Sequence, residues 1–93
     1  MAETLVLTRD EAQSLVYEDL DGYEVVETET ISSTRRETGH QIIVRRLSDG
    51  KYFMDTYSKG TGDNGYEPYE YEAVDFVEVQ RVEVVTTKWV VVP

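Results

Sequence analysis

The amino-acid sequence predicts an α+β fold, in which a short N-terminal helix packs on an antiparallel sheet of about four strands. Three features indicate this fold: a capped helical segment near the N-terminus, an Asp-Gly turn at the centre of the sheet, and a β-forming composition. The 93 residues include 14 Val, 10 Thr and 10 aromatic residues, which are types enriched in strands. This length corresponds to one small domain, residues 1–93.

The helix is predicted from residue 9 to residue 17 or 18. Thr8 is suited to be its N-cap, and Glu11 completes a capping box three residues later. Gly22 is expected to terminate the segment, because glycine commonly follows a helix end. Apolar residues recur with the spacing of one buried helical face at Ala12, Leu15 and Val16.

Two strand-like segments, residues 41–48 and 51–57, flank the dipeptide Asp49-Gly50. Asp-Gly in this position predicts a hairpin with a type I′ turn, because both central residues of that turn need positive φ. In the expected register Leu47 lies opposite Tyr52. This hairpin is predicted to form the centre of the sheet.

Three further segments complete the expected architecture. Residues 23–31 alternate without a purely apolar face, which is typical of a half-exposed edge strand. Residues 58–68 are rich in Gly, Asp and Asn and indicate a loop. Residues 74–92 are rich in valine, but the apolar phase changes between Phe76 and Arg81, which predicts a bulge or break there. Strand addition along this last segment would form a homodimer.

Charge and composition exclude several classes of function. With 9 Lys+Arg against 19 Asp+Glu the net charge is −10, which disfavours direct binding to nucleic acid or to an anionic membrane. The sequence contains no cysteine, so disulfides and thiolate chemistry are absent. Neither a membrane-spanning segment nor a signal peptide is recognisable. A cytoplasmic location is expected, in the host cytoplasm if the protein is phage-encoded.

No catalytic residue, metal site or cofactor is predicted. His40 is the only histidine and has no nucleophile pattern around it, and acidic residues are too abundant for a carboxylate pair to be informative. The segment from Asp63 to Glu67 offers oxygen ligands in a glycine-containing loop, but the preceding Gly60-Thr61-Gly62 supplies none of the alternating acids of a calcium loop, so a solvated turn is expected. The glycines at 60, 62 and 65 have dinucleotide-binding spacing, yet no helix follows them.

The candidate partner-binding residues combine tyrosine, which is enriched at interfaces, with carboxylates. They are Asp63, Tyr66, Glu67, Tyr69, Glu70, Tyr71 and Glu72. An alternative ligand-binding group is the only concentration of positive charge, which could hold a phosphate by bidentate contacts. It consists of Arg35, Arg36, Arg45 and Arg46.

Residues 41–90 contain four segments in order. They are Asp49-Gly50-Lys51-Tyr52, Tyr57-x-x-Gly60, the candidate partner-binding residues from Asp63 to Glu72 (called here the acidic tyrosine segment), and Val77-Glu78-Val79-x-x-Val82-x-Val84-Val85. In this order the segments resemble small acidic proteins of tailed phages of actinobacteria, a group without an assigned activity. The resemblance implies a phage context, in which small acidic proteins often inhibit host nucleic-acid machinery or defence systems.

The expected function is therefore that of a non-enzymatic acidic protein that binds and inhibits a basic host protein surface. In its most specific form this protein mimics nucleic acid, because carboxylates spaced on a rigid sheet present an array of negative charge. Two alternatives remain open at this point. One is a structural component of a virion or its assembly, and the other is an oligomeric module that sequesters a phosphorylated small molecule through its arginines.

Overall fold

The protein folds into one short helix and an antiparallel sheet, as the computed structural model shows for residues 2–34, 37–60, 65–70, 73–83 and 87–93. The elements in chain order are β1 (Thr4–Leu5), α1 (Arg9–Val16), β2 (Tyr23–Ser33), β3 (Glu37–Arg46), β4 (Tyr52–Gly60), β5 (Phe76–Glu83) and β6 (Thr87–Val91). The α+β class agrees with the prediction, but the described sheet has six strands rather than about four.

Strands β2, β3, β4 and β5 lie side by side in that order. The far edge of β5 is shared by two short strands, because β1 pairs with its first residues and β6 with its later ones. Glu78 marks the junction: its N–H donates to the carbonyl of Glu3, and its carbonyl accepts from the N–H of Val92. Strand β5 continues through residues 76–81 without a register shift, so the bulge or break predicted there is wrong.

Helix α1 begins as the sequence predicts and ends differently. The Thr8 hydroxyl and the Glu11 side chain form both bonds of the capping box. At the C-terminus the N–H groups of Glu18 and Asp19 donate to the carbonyls of Leu15 and Ser14, which is the Schellman arrangement. Glu18 therefore occupies the left-handed position, with φ 59°, where glycine is usual. Gly22, with φ 88°, instead lies in the turn before β2.

The main core lies between α1 and one face of the sheet, called here the helix face. Ala12 and Leu15 of the helix are buried against Ile42, Val44 and Phe53 of the central strands. Other apolar residues enclose this cluster, among them Leu5, Val16, Leu20, Tyr57, Tyr69 and Phe76. Burial of such side chains is the main favourable term in folding, so the short helix is held in place by this packing.

Strands β3 and β4 pair antiparallel, but the predicted register and turn type are wrong. Tyr52 lies opposite Arg45 rather than opposite Leu47, and the five residues 47–51 separate the two strands instead of two. In this loop Gly50 has φ 75°, whereas Asp49 is not among the residues with positive φ. The Gly50 N–H donates to the Arg46 carbonyl at 2.8 Å, a bond typical of a wider α-turn.

The Asp49 carboxylate explains why the wider loop is preferred. It accepts hydrogen bonds from the Lys51 N–H at 3.1 Å and from the Arg46 guanidinium at 2.6 and 3.1 Å. These bonds stabilise the wider loop, because an Asp side chain that bonds nearby backbone groups offers the chain an alternative to a regular turn.

Candidate functional site

Residues 65–70, the described part of the acidic tyrosine segment, are tied to both the helix and the sheet. The Tyr66 carbonyl accepts from the Gly60 N–H at 3.2 Å, and the Pro68 carbonyl accepts from Gln13 Nε2 at 2.9 Å. The Tyr66 hydroxyl donates to the Glu37 carboxylate. These contacts hold the segment in one position on the surface rather than as a free loop.

Glu67 is an exposed carboxylate that contacts the C-terminal end of the helix. Its Oε2 accepts from the Tyr17 hydroxyl at 2.5 Å, and this bond raises the pKa of Tyr17 because the neighbouring negative charge disfavours the tyrosinate. The Lys59 ammonium lies 5.9 Å from the centre of the Tyr17 ring. Glu70 closes the turn by accepting from the Glu67 N–H at 3.0 Å. Both carboxylates are thus oriented by hydrogen bonds.

Tyr69 lies in the core, where a partner protein cannot reach it. Its side chain is 0% exposed, and its ring centre lies 5.5 Å from that of Tyr57 and 6.1 Å from that of Phe76. Its φ is 63°, so the backbone turns sharply to direct the ring inward. The described surface of the predicted site is therefore formed by Tyr66, Glu67 and Glu70. The other predicted residues, Asp63, Tyr71 and Glu72, lie outside the described residues.

Asp55 of β4 is a partly buried carboxylate beneath this segment. Burial raises its pKa, and this effect outweighs hydrogen bonds from the N–H groups of Asp75 and Thr56 and from the Tyr69 side chain, which lower it. Its oxygens are therefore occupied by donors of the protein itself. Within the described ranges, no group of three or more His, Asp or Glu residues is placed to bind a metal ion.

The described arginines of the alternative site do not converge. Arg45 and Arg46 are consecutive residues of β3, and consecutive side chains of a strand point to opposite faces. Arg46 is already engaged by Glu3 at 2.7 Å and by Asp49 at 2.6 Å. Arg35 and Arg36 lie outside the described residues, and they precede β3, whose opposite end carries Arg45 and Arg46.

A second acidic feature lies on the opposite face of the sheet, called here the second face. Glu24, Glu27 and Glu29 of β2 lie opposite Arg45, Ile43 and Gln41 of β3. These three β3 residues are two positions apart and therefore lie on one face of the sheet. Since cross-strand partners share a face, the three carboxylates form a single row. All three residues are exposed. They are called here the β2 acid row.

A β-bulge produces this row. The pairing of β2 with β3 shifts between Val25 and Glu27, so Val26 is the extra residue. Without the shift, Glu24 and Glu27 would face opposite sides of the sheet, because they are three positions apart. Uninterrupted alternation over residues 23–31, as the sequence alone suggests, puts Glu24 on the opposite face from Glu27 and Glu29, so the row is not evident from the sequence. The signal that could have found it is the strict alternation that appears once Val26 is left out.

The second face also carries a small apolar cluster joined to the β2 acid row. Ile43 and Val79 are 0% and 2% exposed, although the helix covers the other side of the sheet. Trp89 of β6 lies over this face, with its ring centre 4.9 Å from that of Tyr52. The indole N–H donates to Glu27 Oε2 at 2.7 Å. Since β6 and β2 lie near opposite edges of the sheet, this bond shows that the sheet curls around the second face.

The ion pairs of the described residues are concentrated at the β3–β4 loop. Arg46 and Lys51 share the Glu3 carboxylate, and Arg46 also pairs with Asp49. These contacts lower the pKa of Glu3, and they lower that of Asp49 to about 2. The described ion pairs do not include the β2 acid row, although Arg45 lies opposite Glu24 on the same face of the sheet.

No family model matches this chain, and searches of the curated proteins and of the solved structures found no match. None of the helices in the described part of the chain is long and apolar enough to cross a membrane.

Proposed function

We propose that this protein is a non-enzymatic acidic binding protein that docks on a cationic protein surface. The observation that carries the proposal is the distribution of charge. The net charge is −10, and the described ion pairs engage Arg46 and Lys51 with only two carboxylates, Glu3 and Asp49. The β2 acid row is exposed and takes part in none of the described ion pairs, although Arg45 lies opposite Glu24 on the neighbouring strand.

The carboxylates are supported by rigid structure, which favours binding over simple solubility. The β2 acid row lies on a paired strand, and Glu27 is further held by the Trp89 indole. Glu67 and Glu70 are held by Tyr17 and by the turn itself. Fixed charges of one sign accelerate association with an oppositely charged surface and lose less entropy on binding than mobile ones.

In its most specific form, the proposal is that this array replaces the phosphates of a nucleic acid in a basic channel. A phage-borne inhibitor of host machinery is the biological setting that the sequence resemblance implies. Nucleic acid itself is not the proposed partner, because the net negative charge repels phosphate.

The test is affinity capture from bacterial lysate at low and at physiological ionic strength, with partners identified by mass spectrometry. The wild-type protein is compared with two charge-neutralised proteins, Glu24→Gln with Glu29→Gln, and Glu67→Gln with Glu70→Gln. Glutamine keeps a hydrogen-bond acceptor at each position while removing the charge. A matched control, Asp19→Asn with Asp21→Asn, removes the same charge from the exposed α1–β2 turn.

We expect a basic protein to be captured by the wild type and by the control, and to be lost with added salt and in at least one glutamine pair. Equal capture by all four proteins would contradict the proposal, as would a partner that is acidic or retained at high salt.

A further inference from the structure

The second strand, β2, combines three properties that point to a particular kind of partner. It has 11 residues, and in the part of the chain that the structure describes no strand pairs with its outer edge. Alternate residues of such an edge direct their N–H and C=O groups away from the sheet, where an added strand can bind them. The β2 acid row follows the same edge along one face.

We propose that the β2 edge binds an extended basic segment of a partner protein by strand addition, with Lys or Arg at alternate positions. This inference rests on the proposed function and names the form that the cationic partner takes at this site. Directly opposite residues on neighbouring antiparallel strands have Cβ atoms about 4.5–5.5 Å apart. Every second side chain of the added strand would therefore lie beside Glu24, Glu27 or Glu29.

The opposite face of the same strand defines the remaining positions of the partner. Thr28 and Thr30 lie opposite Ile42 and His40 and so point to the helix face, as does Val25. None of these side chains is charged. The intervening residues of the added segment are therefore expected to be Thr, Val or another uncharged β-forming residue. The partner segment is thus expected to alternate strictly between basic and uncharged residues. A tail with its basic residues in one continuous run lacks this alternation.

A second copy of this chain does not fit the same edge. Antiparallel pairing of two β2 strands with their faces aligned would place both acid rows on one face, where like charges on neighbouring strands are destabilising. The short strand β6 is a different kind of edge, since Lys88 is the only charged residue among Thr87–Val91. Charge complementarity therefore selects a basic segment for β2.

The contact between Glu27 and Trp89 allows binding at the β2 edge to be followed by tryptophan fluorescence. The Glu27 carboxylate accepts from the indole of Trp89, which is the only tryptophan in the sequence. A cation placed beside Glu27 competes for the same oxygens. Binding at this edge should therefore change Trp89 fluorescence, whereas binding at residues 65–70 should leave that fluorescence unchanged, because those residues lie against the helix side of the sheet.

The experiment uses the full chain and three synthetic peptides of eight residues with the same side chains and the same charge. The first alternates Lys and Thr. The second has four Lys followed by four Thr. The third repeats the alternating sequence with every backbone amide N-methylated, which removes the donors needed for strand addition. Affinities are measured by fluorescence anisotropy of labelled peptide, and backbone contact by hydrogen exchange of the β2 amides.

We expect the alternating peptide to bind about three- to tenfold more tightly than the other two, to slow exchange in β2, and to alter Trp89 emission. The pair Glu24→Gln and Glu29→Gln should remove this advantage, whereas the pair Asp19→Asn and Asp21→Asn should preserve it. Glu27 is left unchanged so that the Trp89 signal remains interpretable.

Equal affinity for all three peptides, or protection at β6 instead of β2, would overturn strand addition while leaving the proposed function standing. If none of the peptides binds although the wild-type protein captures a basic partner, strand addition is overturned and the proposed function still stands. If neither a peptide nor a basic protein binds, the proposed function fails as well.

Discussion

Replacing Glu18 by glycine should stabilise this protein, because Glu18 occupies a backbone conformation that suits glycine. Its φ is 59°, and it follows Tyr17, the C-cap of the helix. The N–H groups of Glu18 and Asp19 donate there to the carbonyls of Leu15 and Ser14. A residue with a Cβ in the left-handed region costs about 1–2 kcal/mol. The Glu18 side chain is exposed, so its removal should leave the core unchanged.

Two further effects determine the net magnitude. Glycine increases the freedom of the unfolded chain, which offsets about 0.4–1 kcal/mol of the gain. Removing a negative charge beside a helix C-terminus adds about 0.3–1 kcal/mol. The variant Glu18→Gln isolates this charge effect, since it keeps a side chain in the strained position. Relative to Glu18→Gln, we expect Glu18→Gly to be more stable by about 0.5–1 kcal/mol.

Urea unfolding of the wild type and both variants measures these differences, with tryptophan fluorescence and circular dichroism as independent probes. The midpoint of Glu18→Gly should be the highest of the three, with an unchanged slope. In thermal unfolding the same difference corresponds to an increase of about 2–8 °C over Glu18→Gln. The reasoning is refuted if Glu18→Gly is no more stable than Glu18→Gln, because the left-handed strain would then be absent.

Three other predictions follow from the contacts described above. The variant Glu27→Ala removes the acceptor of the Trp89 indole, so tryptophan emission should shift to the red and the free energy of unfolding should fall by about 1 kcal/mol; unchanged emission would count against the contact. The variant Tyr69→Phe removes a hydrogen bond that lowers the pKa of Asp55, so that pKa, followed by NMR titration, should rise further. The pKa of Asp49 is lowered to about 2 by Arg46 and the Lys51 N–H, so its stabilising contribution is present above the ordinary aspartate pKa and is lost as pH falls towards about 2. In Asp49→Asn the decline of stability between about pH 4 and about pH 2 should therefore be shallower than in the wild type.

The helix start was predictable because its determinants are local. Thr8 and Glu11 lie within one turn of each other, and each supplies the bond that the other needs. The helix end was not predictable in the same way, since the chain uses Glu18 where glycine is usual. Gly22 was the only glycine nearby, and it serves the following turn instead.

The register of β3 against β4 depends on the Asp49 side chain, whose hydrogen bonds cannot be read from the Asp-Gly dipeptide. Asp49 followed by Gly50 predicts a tight turn when both residues act through their backbones. In this protein the Asp49 carboxylate bonds the guanidinium of Arg46 and the N–H of Lys51, and the loop widens to accommodate it. A turn rule that counts only backbone preferences therefore gives the wrong register by two residues.

The acidic tyrosine segment could be located from the sequence, but the roles of its residues could not. Tyr66 and Tyr69 have similar neighbours in the sequence, yet only Tyr69 is fully buried. The difference comes from the positive φ of Tyr69 and from the contacts of its ring with those of Tyr57 and Phe76, both at a tilted angle. These two residues are distant from Tyr69 in the chain. Only the packing of three separate elements decides which tyrosine faces inward.

The bulge at Val26 links the requirements of the core to the charge pattern of the surface. When Val26 is left out, residues 23–30 alternate strictly, with uncharged side chains on the helix face and carboxylates on the second face. In a regular strand that included Val26, Val25 and Glu27 would share a face, so either Val25 would leave the helix face or Glu27 would join it. Burying a carboxylate costs far more free energy than leaving one residue of the strand out of the pairing. The same displacement that keeps charge out of the core therefore aligns Glu24, Glu27 and Glu29. Bulges also twist an edge strand and limit unselective pairing, so strand addition here should require the compensating charges of a basic partner.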